Sequence, residues 1–160
     1  MYKRILLAYD GSVEGRAALR EGALLAKRCG AKVYLLSVVT ETPGMRMAEG
    51  AHSGAVAQHQ GSYKAILEQG VERLRAGGFD PVAKLVVGEP SVEIGAFAEQ
   101  IGADLVVVSH RRQNFLERWW LGATGGYLVD NINCSLLISR NAMSDEAFAE
   151  ELQKASEPAA

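Results

Sequence analysis

The chain has 160 residues, enough for one domain with a buried core. Apolar residues make up 48% and charged residues 22%, proportions typical of a soluble globular protein. The formal net charge of -2 gives no overall positive field, so we expect neither nucleic acid nor a membrane surface as a partner. The longest apolar runs, such as residues 105–108, are too short to span a bilayer, and the N-terminal residues do not resemble a signal peptide. Cys29 and Cys134 are isolated, and we expect buried free thiols in a cytoplasmic protein.

Short apolar runs rich in Val, Leu and Ile alternate with segments of helical periodicity. The pattern predicts strands over residues 4–9, 32–39, 81–87, 105–108 and 135–139. A helix is predicted over residues 13–29, with Ser12 as its N-cap and Gly30 just beyond its C-terminus. Helical periodicity returns at residues 63–74, after the turn at 88–91, and at 127–132.

Two segments interrupt this alternation. Residues 40–62 contain Pro43, four glycines and two histidines, a composition that predicts a long loop. His52 and His59 have no cysteine or carboxylate cluster nearby in the sequence, so no metal site is predicted. Residues 141–160 form a C-terminal extension, in which Phe148 and Leu152 at i and i+4 predict a short amphipathic helix with a frayed end.

Apolar strands that alternate with helices are typical of a parallel sheet covered on both faces. We therefore predict an α/β fold: a single doubly wound, Rossmann-like domain over residues 1–140, with right-handed crossovers. Its five strands are expected in the order 3-2-1-4-5. Sheets of this kind bind ligands outside the carboxyl ends of the strands. The segments that carry a candidate site are therefore residues 8–12, 38–40, 88–91 and those from 109 onward.

Asp10 directly follows the first predicted strand, where two interpretations remain open. Its carboxylate could cap Val13 or the next turn of backbone, a structural role. Alternatively, it could accept hydrogen bonds from the ribose or adenine of a nucleotide bound at the switch point. The sequence alone does not decide between the two.

Several spaced segments resemble one known family. They are Ala8-Tyr9-Asp10-Gly11-Ser12, Val87-Gly88-Glu89-Pro90, the strand at 103–108, Leu121-Gly122 and the closing strand at 135–139. Together they resemble the universal stress proteins over residues 2–140. The resemblance implies a homodimer in which the closing strand pairs with its symmetry mate. This strand is apolar and has no Pro or Lys, which are the residues that commonly block pairing at a sheet edge.

The glycine motif of the ATP-binding members of that family is degenerate here. In those members the fourth strand is followed by a motif of three glycines. Two residues separate the first glycine from the second, nine separate the second from the third, and Ser or Thr follows the third. Such glycines let backbone N–H groups approach phosphates, and the hydroxyl completes the anion site. Ser109 and Arg112 stand at the first two glycine positions, whereas Gly122 keeps the third. Ala123 replaces the hydroxyl residue, and Thr124 comes one position late.

This departure predicts that ATP does not bind tightly. No cofactor is expected beyond a weakly bound adenine nucleotide. Arg111, Arg112 and Arg118 leave two interpretations open: their side chains replace the lost amide cradle for an anion, or the loop is a solvated or dimer-facing surface. The candidate nucleotide-contacting residues are Ala8, Tyr9, Asp10, Val38, Val108, Ser109, Arg112, Gly122, Ala123 and Thr124.

Other residues of the same loop receive structural interpretations. His110, next to two arginines, is interpreted as a solvated residue and not as an acid–base group. Trp119 and Trp120 are adjacent and cannot share one helix face, so one is predicted in the core and the other exposed or at an interface.

The residues favour one class of function, leave a second open and argue against two others. The favoured one is a non-catalytic stress-response binding and signalling module, acting as a homodimer with an unidentified protein partner. The alternative is a regulatory switch that binds ATP or AMP at the carboxyl ends of strands 1 and 4. An enzyme is disfavoured because the sequence has no phosphate-binding P-loop, no nucleophile elbow and no carboxylate pair for a metal. A phosphoacceptor receiver domain is rejected because Asp10 stands alone, with Gly88 and Arg140 at the other required positions.

Overall fold

The computed structural model describes residues 1–40, 55–110, 130–140 and 143–156, with the backbone alone for 55–60. Within these ranges lie five strands and four helices. The strands are β1 (Arg4–Ala8), β2 (Lys32–Val39), β3 (Val82–Val87), β4 (Leu105–Ser109) and β5 (Ser135–Ser139). The helices are α1 (Val13–Cys29), α2 (Ala55–Ala76), α3 (Pro90–Ile101) and α4 (Asp145–Ser156).

All five strands form one parallel sheet in the order β3-β2-β1-β4-β5. The predicted order 3-2-1-4-5 and the doubly wound α/β fold are therefore confirmed. β1 lies at the centre, where Ile5 is opposite Val33 of β2 on one side and Leu105 of β4 on the other. This position explains why β1 is almost entirely apolar: both its edges and both its faces are covered.

The core lies on both faces of the sheet, because successive side chains of a strand point to opposite sides. On one face, Ile5, Leu7 and Leu35 pack with residues of α1 and α2. On the other face, Leu6 and Leu36 pack with Ile94 and Phe97 of α3, and with other residues of β4. Two separate hydrophobic clusters therefore hold one sheet, as the predicted layers require.

Helix α1 has the boundaries that the sequence predicts. The Ser12 hydroxyl accepts a hydrogen bond from the backbone N–H of Gly15 at 2.9 Å, which satisfies one of the unpaired donors of the first turn. At the other end Gly30 adopts φ 61°, the left-handed conformation that glycine tolerates. Glu14 in the first turn and Lys27 and Arg28 in the last complement the helix dipole.

Some predicted boundaries and one predicted loop are corrected by the structure. Helix α2 begins at Ala55, inside the segment 40–62 that was predicted to be a loop. Its first residues, Ala-Val-Ala-Gln-His-Gln, are largely good helix formers, and the glycines and Pro43 concentrate before them or at Gly61. Compared with the predicted strands, β1 ends one residue earlier, β3 starts one residue later, at Val82, and β4 ends one residue later, at Ser109.

Two further expectations concern the cysteines and the last predicted helix of the domain. Cys29 and Cys134 are free thiols, but both are half-buried and not fully buried as predicted. Of the helix predicted at 127–132, residues 130 and 131 are helical, and 127–129 lie outside the described residues. Arg111, Arg118, Trp119, Trp120 and His52 also lie outside them.

Helix α4, in the predicted C-terminal extension, lies against α1. Arg20 of α1 donates to the backbone oxygen of Met143 at 2.6 Å and forms an ion pair with Asp145. About two helical turns further along α1, the Arg28 guanidinium lies 2.8 Å from the Glu151 carboxylate. Phe148 packs at the border of the cluster shared by α1 and α2. Both ionic and apolar contacts thus attach α4, although the division of the chain at residue 140 stays a prediction.

The Asp104 carboxylate connects the start of β1 to the start of β4. Its Oδ2 accepts hydrogen bonds from the backbone N–H groups of Lys3, at 2.6 Å, and Arg4, at 2.7 Å. These two hydrogen bonds to the ionised form hold the pKa of Asp104 below its ordinary value. A pKa lowered in the folded state means that the carboxylate stabilises the fold above its unfolded-state pKa, and that this contribution is lost as the pH falls through the folded-state pKa.

We therefore expect Asp104→Asn to lower the free energy of unfolding at pH 7, because a neutral amide oxygen is a weaker acceptor for the two N–H groups. The difference between variant and parent should shrink as the pH falls below about 4. Urea unfolding at a series of pH values measures both effects. Asp80→Asn, at an exposed position before β3, is the control and should change the stability little. A difference for Asp104→Asn that stays constant down to pH 3 would contradict this account.

Gly70 of helix α2 lies in close contact with the sheet. A Cβ atom added there would lie 2.8 Å from Cδ1 of Tyr9 and 2.9 Å from Cδ2 of Leu35. Both neighbours are buried in the core and cannot move away without repacking. By contrast, nothing lies within 4 Å of a Cβ added at Gly61 in the same helix.

Substitution by alanine is expected to change the stability in opposite directions at these two glycines. Gly70→Ala should lower the stability, by about 1–3 kcal/mol, because overpacking outweighs the better helix propensity of alanine. Gly61→Ala should leave the stability unchanged or raise it by up to about 1 kcal/mol. Chemical denaturation of both variants measures the difference. Equal stabilisation by both substitutions would show that the contact of Gly70 with Tyr9 is not tight.

Candidate functional site

The carboxyl ends of β1, β2 and β4 meet at one edge of the sheet. Because the strands are parallel and in register, with Leu7 opposite Val107 and Ala8 opposite Leu36, their last residues end at similar levels. The turn at Asp10 and the start of α1 follow at the same edge. The structure thus brings the predicted segments of the first, second and fourth strands together, as the topology of an open sheet requires.

Three of the candidate residues share one face of this edge. Ala8 and Val38 are half-buried, Val108 is buried, and all three belong to the cluster that packs against α3. They offer methyl groups and backbone atoms, which suit the flat surface of a base better than a charged group. Ser109, the last residue of β4, is half-buried and lies opposite Ser139 of β5.

Tyr9 does not join them, because its side chain lies on the opposite face with α1 and α2. It is 3% exposed, and its hydroxyl is buried without a hydrogen-bond partner among the described residues. Burial raises the pKa of Tyr9 above its ordinary value, although the positive charges of Arg73 and Arg16 act in the opposite direction. A buried neutral phenol near two arginines contributes to this face of the core and not to the apolar surface formed by Ala8, Val38 and Val108.

Asp10 is exposed and forms a turn with the residues that follow it. Its Oδ1 accepts hydrogen bonds from the backbone N–H of Ser12 at 3.0 Å and from the Ser12 hydroxyl at 2.6 Å. Gly11 between them adopts φ 76°, which a residue with a side chain rarely does. The same hydroxyl caps α1 at Gly15. These hydrogen bonds with Ser12 support the capping interpretation of Asp10.

One side chain of this edge was missed by sequence reasoning. Ser37 is fully buried in β2, and its hydroxyl donates a 2.7 Å hydrogen bond to the backbone oxygen of Tyr9. The neighbouring backbone bond, from Tyr9 N–H to the oxygen of Leu36, measures 2.9 Å. Together they fix the end of β1 against β2. The signal in the sequence is a single serine within the apolar run Leu-Leu-Ser-Val-Val that ends the strand.

The remaining candidates, Arg112, Gly122, Ala123 and Thr124, lie outside the described residues. His110 is described: its backbone N–H donates to the oxygen of Ser139 at 2.9 Å, which continues the pairing of β4 with β5. Among residues 1–40, 61–110, 130–140 and 143–156, no group of three or more His, Cys, Asp or Glu side chains could hold a metal ion. In the same part of the chain, none of the helices combines the length and apolar character needed to cross a membrane.

The family profile described as "Universal stress protein family" matches residues 1–140. A universal stress protein of Methanocaldococcus jannaschii is 28% identical over 139 residues, which cover 86% of this chain and 82% of that protein.

Solved structures agree with this match. The universal stress protein UspA from Lactobacillus plantarum superimposes with a TM-score of 0.70 at 25% identity, covering 87% of this chain and 98% of that one. A universal stress protein solved in complex with cAMP superimposes with a TM-score of 0.64, covering 89% of this chain and 98% of that one; at 21% identity it shows the shared fold alone. On the profile match across residues 1–140, this chain belongs to the universal stress protein family.

Proposed function

We propose that this protein is a non-catalytic stress-response module that acts as a homodimer in the cytoplasm and signals through a protein partner. The observation that carries the proposal is the outer edge of β5. On its inner side β5 pairs with β4 over residues 135–139, whereas no described strand pairs with its outer side. Ile138, the last but one residue of this strand, is 37% exposed.

An apolar strand edge of this kind favours pairing with a second copy. Leu136 and Leu137 are only half-buried, so part of their surface is also available to a partner. Pairing of β5 with its two-fold mate would satisfy the outer backbone groups and cover these side chains. β3, at the other edge of the sheet, is the matched comparison, with Val82 41% exposed.

The chemistry of the strand ends supports binding more than catalysis. The Asp10 carboxylate is engaged with Ser12 in the turn that caps α1, so it is held by structure and not poised as an acid or base. The sequence carries none of the phosphate-loop or nucleophile motifs that a hydrolase of this fold class would use.

A second candidate function is a regulatory switch that binds an adenine nucleotide. It is favoured by the universal stress protein solved in complex with cAMP, which shares this fold. In this chain the apolar surface at Ala8, Val38 and Val108 would receive the base, and Asp10 the ribose. The phosphate half of the site is degenerate, with Ser109, Arg112 and Ala123 at positions that need glycine or a hydroxyl.

We therefore expect Mg-ATP to bind with a dissociation constant weaker than about 100 μM, close to 5.5 kcal/mol of binding free energy. Isothermal titration calorimetry with Mg-ATP, and in parallel with AMP and adenosine, measures this. The triple variant Ser109→Gly, Arg112→Gly, Ala123→Ser restores the family's pattern and should bind ATP at least about tenfold more tightly, since it regains hydrogen bonds to a charged acceptor. A micromolar isotherm for the parent protein would contradict the proposal.

For the dimer, we expect the parent protein to have twice the monomer mass by light scattering at micromolar concentration. Ile138→Lys should shift it to the monomer, because a lysine on an edge strand opposes pairing with another edge. The control Val82→Lys places the same charge on the opposite edge and should leave the dimer intact. A monomeric parent, or equal dissociation by both variants, would exclude assembly through β5.

A further inference from the structure

A cavity of about 280 Å³ lies between α1, α2 and α4, on the face of the sheet opposite α3. Its walls are largely apolar and come from Leu19 of α1, Ala76 of α2, and Phe148 and Leu152 of α4. Leu19 is buried, whereas Phe148 and Leu152 are half-buried, and Phe148 also packs against the core cluster. The apolar walls suit a hydrocarbon group of a ligand.

Three arginines line the same cavity: Arg16 and Arg20 of α1 and Arg73 of α2. Arg20 is neutralised by its ion pair with Asp145, which also lines the cavity. Arg16 donates a 3.0 Å hydrogen bond to the backbone oxygen of Gly11. Because this oxygen carries no net charge, the bond does not neutralise the positive charge of Arg16. The three cations and one carboxylate leave an excess of positive charge around apolar walls.

Arg73, the third cation of the wall, carries a donor group that the described residues leave unsatisfied. Its Nε–H is buried and donates to no acceptor among the described residues. A buried donor of a charged group without an acceptor is costly, and native structures rarely keep one without water, an ion or a ligand to satisfy it. A guanidinium presents its donors in a fork that fits a carboxylate with two parallel hydrogen bonds.

We propose that this cavity binds a small amphiphilic carboxylic acid, with the carboxylate on Arg73 and the hydrocarbon part against Leu19, Phe148 and Leu152. A carboxylate matches the planar fork of a single guanidinium with two parallel hydrogen bonds, whereas Asp145 on the wall is already paired with Arg20. The volume is about twice that of an engineered apolar cavity that accepts benzene. A chain of about six to eight carbons or a phenylalkyl group is therefore the expected size.

The site depends on α4, which supplies Phe148, Leu152 and Asp145 to its wall. The family profile ends at residue 140, before this helix. The cavity lies on the α1 and α2 side of the sheet, whereas the apolar surface of the candidate nucleotide site lies on the α3 side. The proposal is therefore independent of nucleotide binding and of the dimer.

The test is calorimetric titration of the full chain with sodium octanoate at concentrations up to about 5 mM, with octan-1-ol as the uncharged probe of equal length. Saturable binding of octanoate, at least about tenfold tighter than that of octan-1-ol, is expected because the arginine adds a charge-assisted hydrogen bond. Failure of octanoate to bind in this range, or equal affinity for the alcohol, would overturn the proposal. Tighter binding of octyl phosphate would overturn the assignment to a carboxylate.

Two variants locate the site. Arg73→Gln should weaken octanoate binding by about tenfold or more while the fold, followed by circular dichroism, is retained. Arg75→Gln is the matched control, because Arg75 lies two residues away in α2 and is exposed, and it should leave the affinity unchanged. Ala149→Trp, at an exposed position on the cavity wall, keeps the arginines but fills the space and should also abolish binding. Unaltered binding in Arg73→Gln and Ala149→Trp would place octanoate elsewhere and refute the site.

Discussion

The burial of one parallel sheet on both faces is the constraint on which the rest of this structure depends. β1 has neighbours on both sides and helices above and below, so every side chain from Ile5 to Leu7 must be apolar. A buried parallel strand also places its carboxyl end at the same edge as those of its neighbours. The position of Asp10 and of the start of α1 follows from that geometry and needs no separate explanation.

Polar side chains at the carboxyl edge of the sheet form hydrogen bonds with backbone groups and with one another. Ser12 both caps α1 and holds the Asp10 carboxylate, and the hydroxyl of Ser37 joins the ends of β1 and β2. Side chains committed in this way keep the turn in one conformation. The apolar surface formed by Ala8, Val38 and Val108 is consequently presented on a fixed frame, so a ligand that bound there would lose little free energy to ordering of the protein.

The strand order, the caps of α1 and the family could all be predicted, because strong apolar runs and the Ser12 and Gly30 signals are local. The start of α2 could not be predicted, because a glycine and two histidines near Ala55 are typical of a loop. The packing of this helix on the sheet, which stabilises it, is not visible in the sequence. The face on which Tyr9 lies was also missed. Its placement follows from strand alternation, but the prediction grouped residues by their position in a motif. The unpaired donor of Arg73 depends on distances between three helices, which no spacing along the chain encodes.

The hydrogen bonds from Lys3 and Arg4 to Asp104 span 101 and 100 residues of sequence. The ribosome synthesises a chain from its N-terminus, so the central strand β1 is complete long before its acceptor and its β4 partner exist. During that interval β1 can pair with β2 on one side only, and the apolar edge that β4 later covers is open. Contacts this distant in sequence are slow to close. The nascent chain therefore passes through a stage in which its central, apolar strand is half-paired, and an exposed apolar strand edge of this kind is prone to aggregation.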